Sequence, residues 1–343
     1  MNESLQNFKN SLREQMLRIL WSGWSQLGVS GYVSEAWNTV IDVEAMILTT
    51  CFWGRYDQRL FDEMISWLFA NERFVNIQRL QSMIKKESFQ ECRLLGPVCR
   101  KLAGKKLTPK WRGIENKLQK LASESNFCLF LMPDSCPLPI IGKTDNDFAA
   151  FGFLRLPFID RGLTSSFQAG RPATLQLQLR AFFGVCSRAE IMLALLMNNC
   201  ASISQIAATS YYSWKSIQDA LFEMALSGLV AHPPAKKERR YSLVAGNWAS
   251  LFLSRPTRPV EPINWCKLFS AIEILWKKLD DKKFSSLPPQ TMRIELASIV
   301  ETRLHNLLSA ADSRIRIPDY AMAGEDYLEK FSAAVMHLLN RFS

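Results

Sequence analysis

The stretch from Ser187 to Leu243 constrains the fold more than any other part of the chain: SRAEIMLALLMNNCASISQIAATSYYSWKSIQDALFEMALSGLVAHPPAKKERRYSL. Ser187 with Glu190 three residues on has the spacing of a capping box, which predicts a helix start. Ile191, Ala194, Leu195 and Met197 give that helix a packing face, and Asn198 and Asn199 end it. Ser202 or Ile203 opens a second, short helix over Ser204 to Thr209. Its Ile206 and Ala207 point inward, and small Ala207 and Ala208 let another helix approach closely. A short link, Ser210-Tyr211-Tyr212, leads to Ser213, whose hydroxyl suits it to cap a third helix. There Ile217, Leu221 and Met224 fall at i, i+4 and i+7 and make one buried face. Trp214, Lys215, Ser216, Gln218 and Asp219 occupy the opposite face. Gly228 supplies the left-handed residue that stops the helix. Leu229 and Val230 then begin a strand, Pro233, Pro234 and Ala235 form a turn, and Tyr241 to Val244 return as a second strand. Lys236, Lys237, Arg239 and Arg240 decorate this hairpin, and His232 reads as a turn residue.

Two helices joined by a short turn, followed by a cationic hairpin, resemble the winged helix-turn-helix regulators of the ArsR and MarR type. The resemblance is carried by RAEIMLALL, ISQIAATS, WKSIQDALFEMALSGLV and KKERRYSL, and covers about 60 of the 343 residues. It implies a fold and binding of double-stranded DNA. It implies no metal ligand set, because the Cys and His pattern of some ArsR proteins is absent.

The residue types suit that chemistry. Side chains near the N-terminus of a helix in the major groove reach base edges. Lys215 can donate to guanine O6 and N7, Gln218 can pair bidentately with adenine, and Ser216 can contact a base or a phosphate. The positive end of the helix capped by Ser213 favours a nearby phosphate. Lys236, Lys237, Arg239 and Arg240 would hold the backbone or enter the minor groove, and Arg180 and Arg188 are further candidates for backbone contact. Trp214 is open to two readings, stacking on a sugar or thymine methyl, or packing against a neighbouring domain. Asp219 would repel phosphate.

Charge distribution sharpens the picture. Lys and Arg exceed Asp and Glu by 42 to 32. The excess gathers in residues 85–120, with 11 basic against 3 acidic residues, and in 180–248, with 7 against 4. Residues 93–120, with Arg93, Arg100, Lys101, Lys105, Lys106, Lys110 and Arg112 around Trp111, read either as a phosphate-contacting surface or as a solvated basic linker marked by Gly104, Pro109 and Gly113. Eight Cys without C-x-x-C spacing and three scattered His indicate no metal site and reduced thiols, hence a cytoplasmic protein without a cofactor. The start is charged and does not read as a signal peptide, and no apolar run is long enough to span a bilayer.

The expected fold class is mainly α with a small β component, a winged helix-turn-helix flanked by helical domains. Residues 1–92 read as an N-terminal helical domain, with helices over 3–27, Asp42 to Cys51, Gln58 to Phe69 and Ile77 to Lys86. A degenerate second helix-turn-helix is the alternative for this cluster. Residues 93–180 read as a basic linker and an irregular, β-containing region with short strands at Phe127 to Met132 and Phe151 to Leu156. Leu175 to Phe183 form a helix or strand leading into the domain at 181–250. Ile263 to Leu279, Pro289 to Ala310 and Glu325 to Phe342 make a C-terminal helical domain at 261–343, suited to dimerisation or partner binding.

The functional expectation is a double-stranded DNA-binding transcriptional regulator, a repressor acting as a homodimer, and not an enzyme. The alternative is the antitoxin or partner subunit of a toxin–antitoxin or phage-defence system, binding operator DNA and a toxin. A further alternative is an enzyme with its site in residues 121–180, where Asp134, Asp145, Asp147 and Asp160 are the carboxylates at hand.

Overall fold

A computed structural model describes residues 3–32, 35–87, 89, 91–104, 109–120, 125–231, 239–244, 248–254 and 260–342. The fold is mainly helical with a small β part. Its centre is set by one sequence segment, VEAMILTTCFW, which is apolar on every side and therefore has to be surrounded. This is α2 (Val43–Trp53), and all of its residues are buried. Around it pack α1 (Glu3–Gln26), α3 (Gln58–Asn71) and α4 (Ile77–Lys86). Aromatic side chains fill the joints, with the Trp24 and Trp67 rings 5.3 Å apart.

The basic stretch after α4 folds rather than linking. It forms α5 (Leu95–Gly104) and α6 (Arg112–Gln119), which pack on each other and bury Leu94, Leu95, Val98, Leu102, Trp111, Ile114 and Leu118. Several cations of this stretch are paired: Arg100 with Glu115 (2.9 Å), Lys101 with Asp145 (2.8 Å), Lys110 with Glu72 (3.1 Å). A linker reading fails because the apolar residues between the charges recur at helical spacing and have a core to enter.

The next region is irregular, as its prolines require. The expected strands shrink to two residues each, β1 (Phe127–Cys128) and β2 (Phe153–Leu154), paired in parallel with Phe127 opposite Phe153. A short helix, α7 (Asn146–Ala149), starts at Asp145, which caps it and also binds Lys101.

Helix α8 (Leu175–Phe183) leads into a second, smaller core. That core lies among α9 (Ser187–Asn198), α10 (Ile203–Ser210), α11 (Trp214–Leu226) and a three-stranded antiparallel sheet. The strands are β3 (Cys200–Ser202), β4 (Val230–Ala231) and β5 (Arg240–Leu243), in the order β3-β5-β4. Ala201 pairs with Tyr241 and Val230 with Leu243. The capping box forms one helix later than the sequence suggests, at Ser202 and Gln205, where α10 begins. At α9 the cap residue is Cys186, with no side-chain bond, because Glu190 turns inward to an arginine instead.

After α12 (Trp248–Phe252) the chain returns to the first core. It does so through α13 (Trp265–Leu279), α14 (Lys282–Ser285), α15 (Pro289–Ile299), a π turn at Val300–Leu304, α16 (His305–Ala311), α17 (Tyr320–Ala323) and α18 (Tyr327–Leu339). Helix α13 lies on α2 and α18 on α1, and one apolar core runs from Leu5 to Phe342. Phe331, Val335, Leu338 and Leu339 of α18 are thus buried within the chain.

The two cores are joined by a buried charge network. Glu44, in the first turn of α2, is fully buried and binds Arg180 of α8 (2.7 Å) and Arg79 of α4 (2.6 Å). Its carboxylate also accepts the Asn76 backbone N–H (2.7 Å). Arg180 reaches on to Glu190 of α9 (2.6 Å), and Arg79 to Asp42. Arg180 is therefore wholly engaged inside the protein and has no reach to a DNA backbone, contrary to the sequence expectation. A buried charge is costly unless paired, and Glu44, Arg79 and Arg180 each have two partners of opposite charge.

Burial works to raise the Glu44 pKa, but the charges of Arg180 and Arg79 outweigh it and hold the carboxyl well below its usual 4.5, near about 2. A carboxyl depressed in the folded state stabilises fully above its unfolded pKa and loses that contribution as pH falls towards the folded value. Acid unfolding should therefore draw on Glu44 between about pH 4.5 and about 2. The Glu44→Gln variant is expected to lose roughly 3–5 kcal/mol of stability at neutral pH, measured by denaturant unfolding, and to lose part of the acid sensitivity. A loss under about 1 kcal/mol would show that the network does not hold the cores together.

Candidate nucleic-acid interface

Helix α11 begins at Ser213, whose Oγ accepts the Ser216 backbone N–H (3.0 Å) as the sequence predicts. Ile217, Ala220, Leu221 and Met224 face inward against α9 and α10. At the other end Gly228 takes φ 74°, a conformation that a side chain would strain, and turns the chain into β4. The hairpin strand therefore springs directly from the C-terminal end of α11.

The outward face of α11 is bare. Ser213, Trp214, Lys215, Ser216, Gln218 and Asp219 are all exposed, and so are Phe222, Glu223 and Leu226 one to two turns further along. Five of the residues singled out from sequence, Ser213, Trp214, Lys215, Ser216 and Gln218, thus share one exposed helix end. Trp214 keeps 49% of its surface exposed, so it is not packed away by another part of the chain. Lys215 meets Asp219 at 3.3 Å across one turn, an exposed pair worth only about 0.2–1 kcal/mol. Such a pair opens at little cost when a stronger acceptor approaches Lys215.

Arg239 and Arg240 are exposed at the base of the returning strand. Lys236 and Lys237, with His232, lie outside the described residues. Arg188 at the start of α9 pairs with Glu223 of α11, which fixes it to this unit but occupies its charge. On α11 itself, Asp219 and Glu223 outnumber Lys215. Any attraction for a polyanion must therefore come from the flanks of the helix and not from its face.

Sequence reading missed what holds the turn before α11. Tyr211, at φ 61°, is only 5% exposed, and its hydroxyl donates to Glu87 just past α4 (2.8 Å). Tyr212 accepts from the Asn76 side chain (2.7 Å). The link thus welds the unit to the first core. Its only signal in sequence is a pair of aromatic residues in a turn that otherwise calls for small polar ones. Phe222 and Leu226, 64% and 74% exposed, carry no sequence signal of exposure, because apolar residues in a helix ordinarily face a core.

Within residues 121–180, the carboxylates of Asp134, Asp145 and Asp147 serve local contacts. Asp145 and Asp147 both bind Lys101, and Asp134 accepts the Cys136 N–H. Among the described residues no group of three His, Cys, Asp or Glu is placed to hold a metal, and no helix is long and apolar enough to cross a membrane.

No protein-family model matches the sequence, and comparisons with curated proteins and with solved structures also find no match.

The Ser213→Ala variant is expected to lose about 0.5–2 kcal/mol in thermal or denaturant unfolding, because one N–H of the first turn of α11 loses its acceptor. An unchanged midpoint would show that the cap is not formed in solution.

Proposed function

We propose that residues 187–243 are a winged helix-turn-helix and that the protein is a cytoplasmic regulator of transcription that binds double-stranded DNA. The observation that carries this reading is the bare outward face of α11, capped at its N-terminus and flanked by a hairpin with exposed Arg239 and Arg240. A helix presented in this way fits the major groove, where Lys215, Ser216 and Gln218 meet base edges. The hairpin arginines, with Lys236 and Lys237, meet the phosphate backbone. The regulator acts as a repressor and as a homodimer, which sets two α11 helices in successive major grooves about 34 Å apart. Its dimer contact lies outside the apolar faces of α13 and α18, which the chain already buries.

Titration of the full chain with labelled genomic duplex tests the reading. Replacing Lys236, Lys237, Arg239 and Arg240 by Glu is expected to weaken binding to every sequence and to flatten its salt dependence by about 0.9 per lost phosphate contact. Unchanged affinity would remove the hairpin from the interface. Lys215→Ala or Gln218→Ala is expected to cost about 1–3 kcal/mol at selected base pairs, and an equal loss on random DNA would show that neither reads sequence.

A second reading is favoured by one observation. Exposed Trp214, Phe222 and Leu226 place large apolar groups along the same helix. This suits a protein partner and supports an antitoxin or partner subunit that binds both operator DNA and a toxin. The Phe222→Ser, Leu226→Ser double variant would then lose its complex with the product of an adjacent gene while keeping its affinity for DNA. Retention of that complex would count against this second reading.

A further inference from the structure

Given the DNA binding proposed above, we infer that the duplex also contacts α4 and α6, where Lys85, Lys86, Lys117 and Lys120 form a second phosphate-binding surface at the N-terminal end of α11. The juxtaposition starts at Tyr211. The Lys86 ammonium lies 6.0 Å from the Tyr211 ring centroid, and the Tyr211 hydroxyl is bonded to Glu87. The last turn of α4 is thereby fixed against the link that opens α11. From Tyr211 to Lys215 the chain advances four residues, at most about 14 Å.

Helix α6 continues the same surface. Lys117 donates to Gln81 of α4 (3.1 Å). Gln81 and Lys85 are one turn apart on α4, and Lys117 and Lys120 one turn apart at the end of α6, so this bond sets the α6 lysines beside the α4 face that carries Lys85, while Lys86 lies at Tyr211. All four are exposed.

Pairing distinguishes these four lysines from several cations near them in sequence. Arg93, Arg100, Lys101 and Lys110, from the same basic part of the sequence, each have a carboxylate partner: Glu91, Glu115, Asp145 and Glu72. Among the described residues no carboxylate pairs with Lys85, Lys86, Lys117 or Lys120. Two nearby acids are engaged, Glu87 by Lys267 (2.8 Å) and Glu115 by Arg100 (2.9 Å), and Glu124 lies outside the described residues. The exposed lysines there are cationic, while the face of α11 carries Asp219 and Glu223 against Lys215.

Phosphates need a positive surface, and base reading needs one that is not too sticky. With the hairpin beyond one end of α11 and the lysines of α4 and α6 beside the other, a duplex is held by its backbone on both sides of the reading helix. The four lysines are compact, mobile point charges suited to backbone contact without sequence choice.

The experiment compares the full chain with the Lys85→Gln, Lys86→Gln, Lys117→Gln, Lys120→Gln variant, using a fluorescein-labelled 30-base-pair duplex across a salt series. Near 0.15 M salt the Debye length is about 8 Å, so contacts dominate over net charge. The expected result is at least a tenfold loss of affinity on every sequence and a salt slope smaller by about 3–4. A fall of less than two in the slope, with the parent chain still binding, overturns the inference and leaves the proposed function standing. Failure of the parent chain to bind any duplex overturns both. Should the quadruple variant melt lower than the parent, the single Lys→Gln variants replace it, each expected to remove about 0.9 from the slope.

Discussion

Glu44, through its buried side chain, ties the two cores of the protein together. Its carboxylate is sealed at the start of an all-buried helix, so it requires cations that the chain must deliver into the interior. Arg79 arrives from α4 and Arg180 from α8, and Arg180 then fixes Glu190 of α9. Satisfying one buried acid thus sets the position of the small helix–sheet unit against the large helical core. Gln176 adds a further tie, accepting the Val43 N–H (3.2 Å).

With α8 and α9 held there, the rest of the unit has little freedom. Ile206 of α10 and Ile217 of α11 pack into the small core, while Tyr211 and Tyr212 tether the intervening turn to the α4 side. The outcome is a helix supported from behind and from its N-terminal side, with its far face left to solvent. On the proposed reading, this support does functional work: a recognition helix that must meet base edges within a few tenths of an ångström benefits from a rigid seat. It also explains why the large core belongs to the same molecule, because the seat and the lysine surface are both made from it.

Much of this was legible in the sequence where spacing carries the information. The helices at 3–26, 58–71 and 265–279 follow from apolar residues at helical intervals, and α11 from its Ser213 cap and Gly228 stop. The Glu44 network was not legible, because its partners are 35 and 136 residues away and no local period reports them. The same limit made Arg180 look available for DNA and made the 93–120 cations look free, when Lys110 pairs with Glu72, Lys101 with Asp145 and Arg100 with Glu115. Strand β3 escaped notice because three residues, Cys200 to Ser202, are too few to show alternation. For the interface, the residue types on α11 were legible, but their exposure, and the exposure of Phe222 and Leu226, followed only from the packing.

The central claim is that the bare face of α11 reads the major groove. Selection of bound fragments from genomic DNA, read by sequencing, tests it most directly. The account predicts enrichment of a recurrent short half-site, repeated with its centres one helical turn, about 10–10.5 base pairs, or a multiple of it apart. Recovered fragments with the same composition as the input library would contradict it.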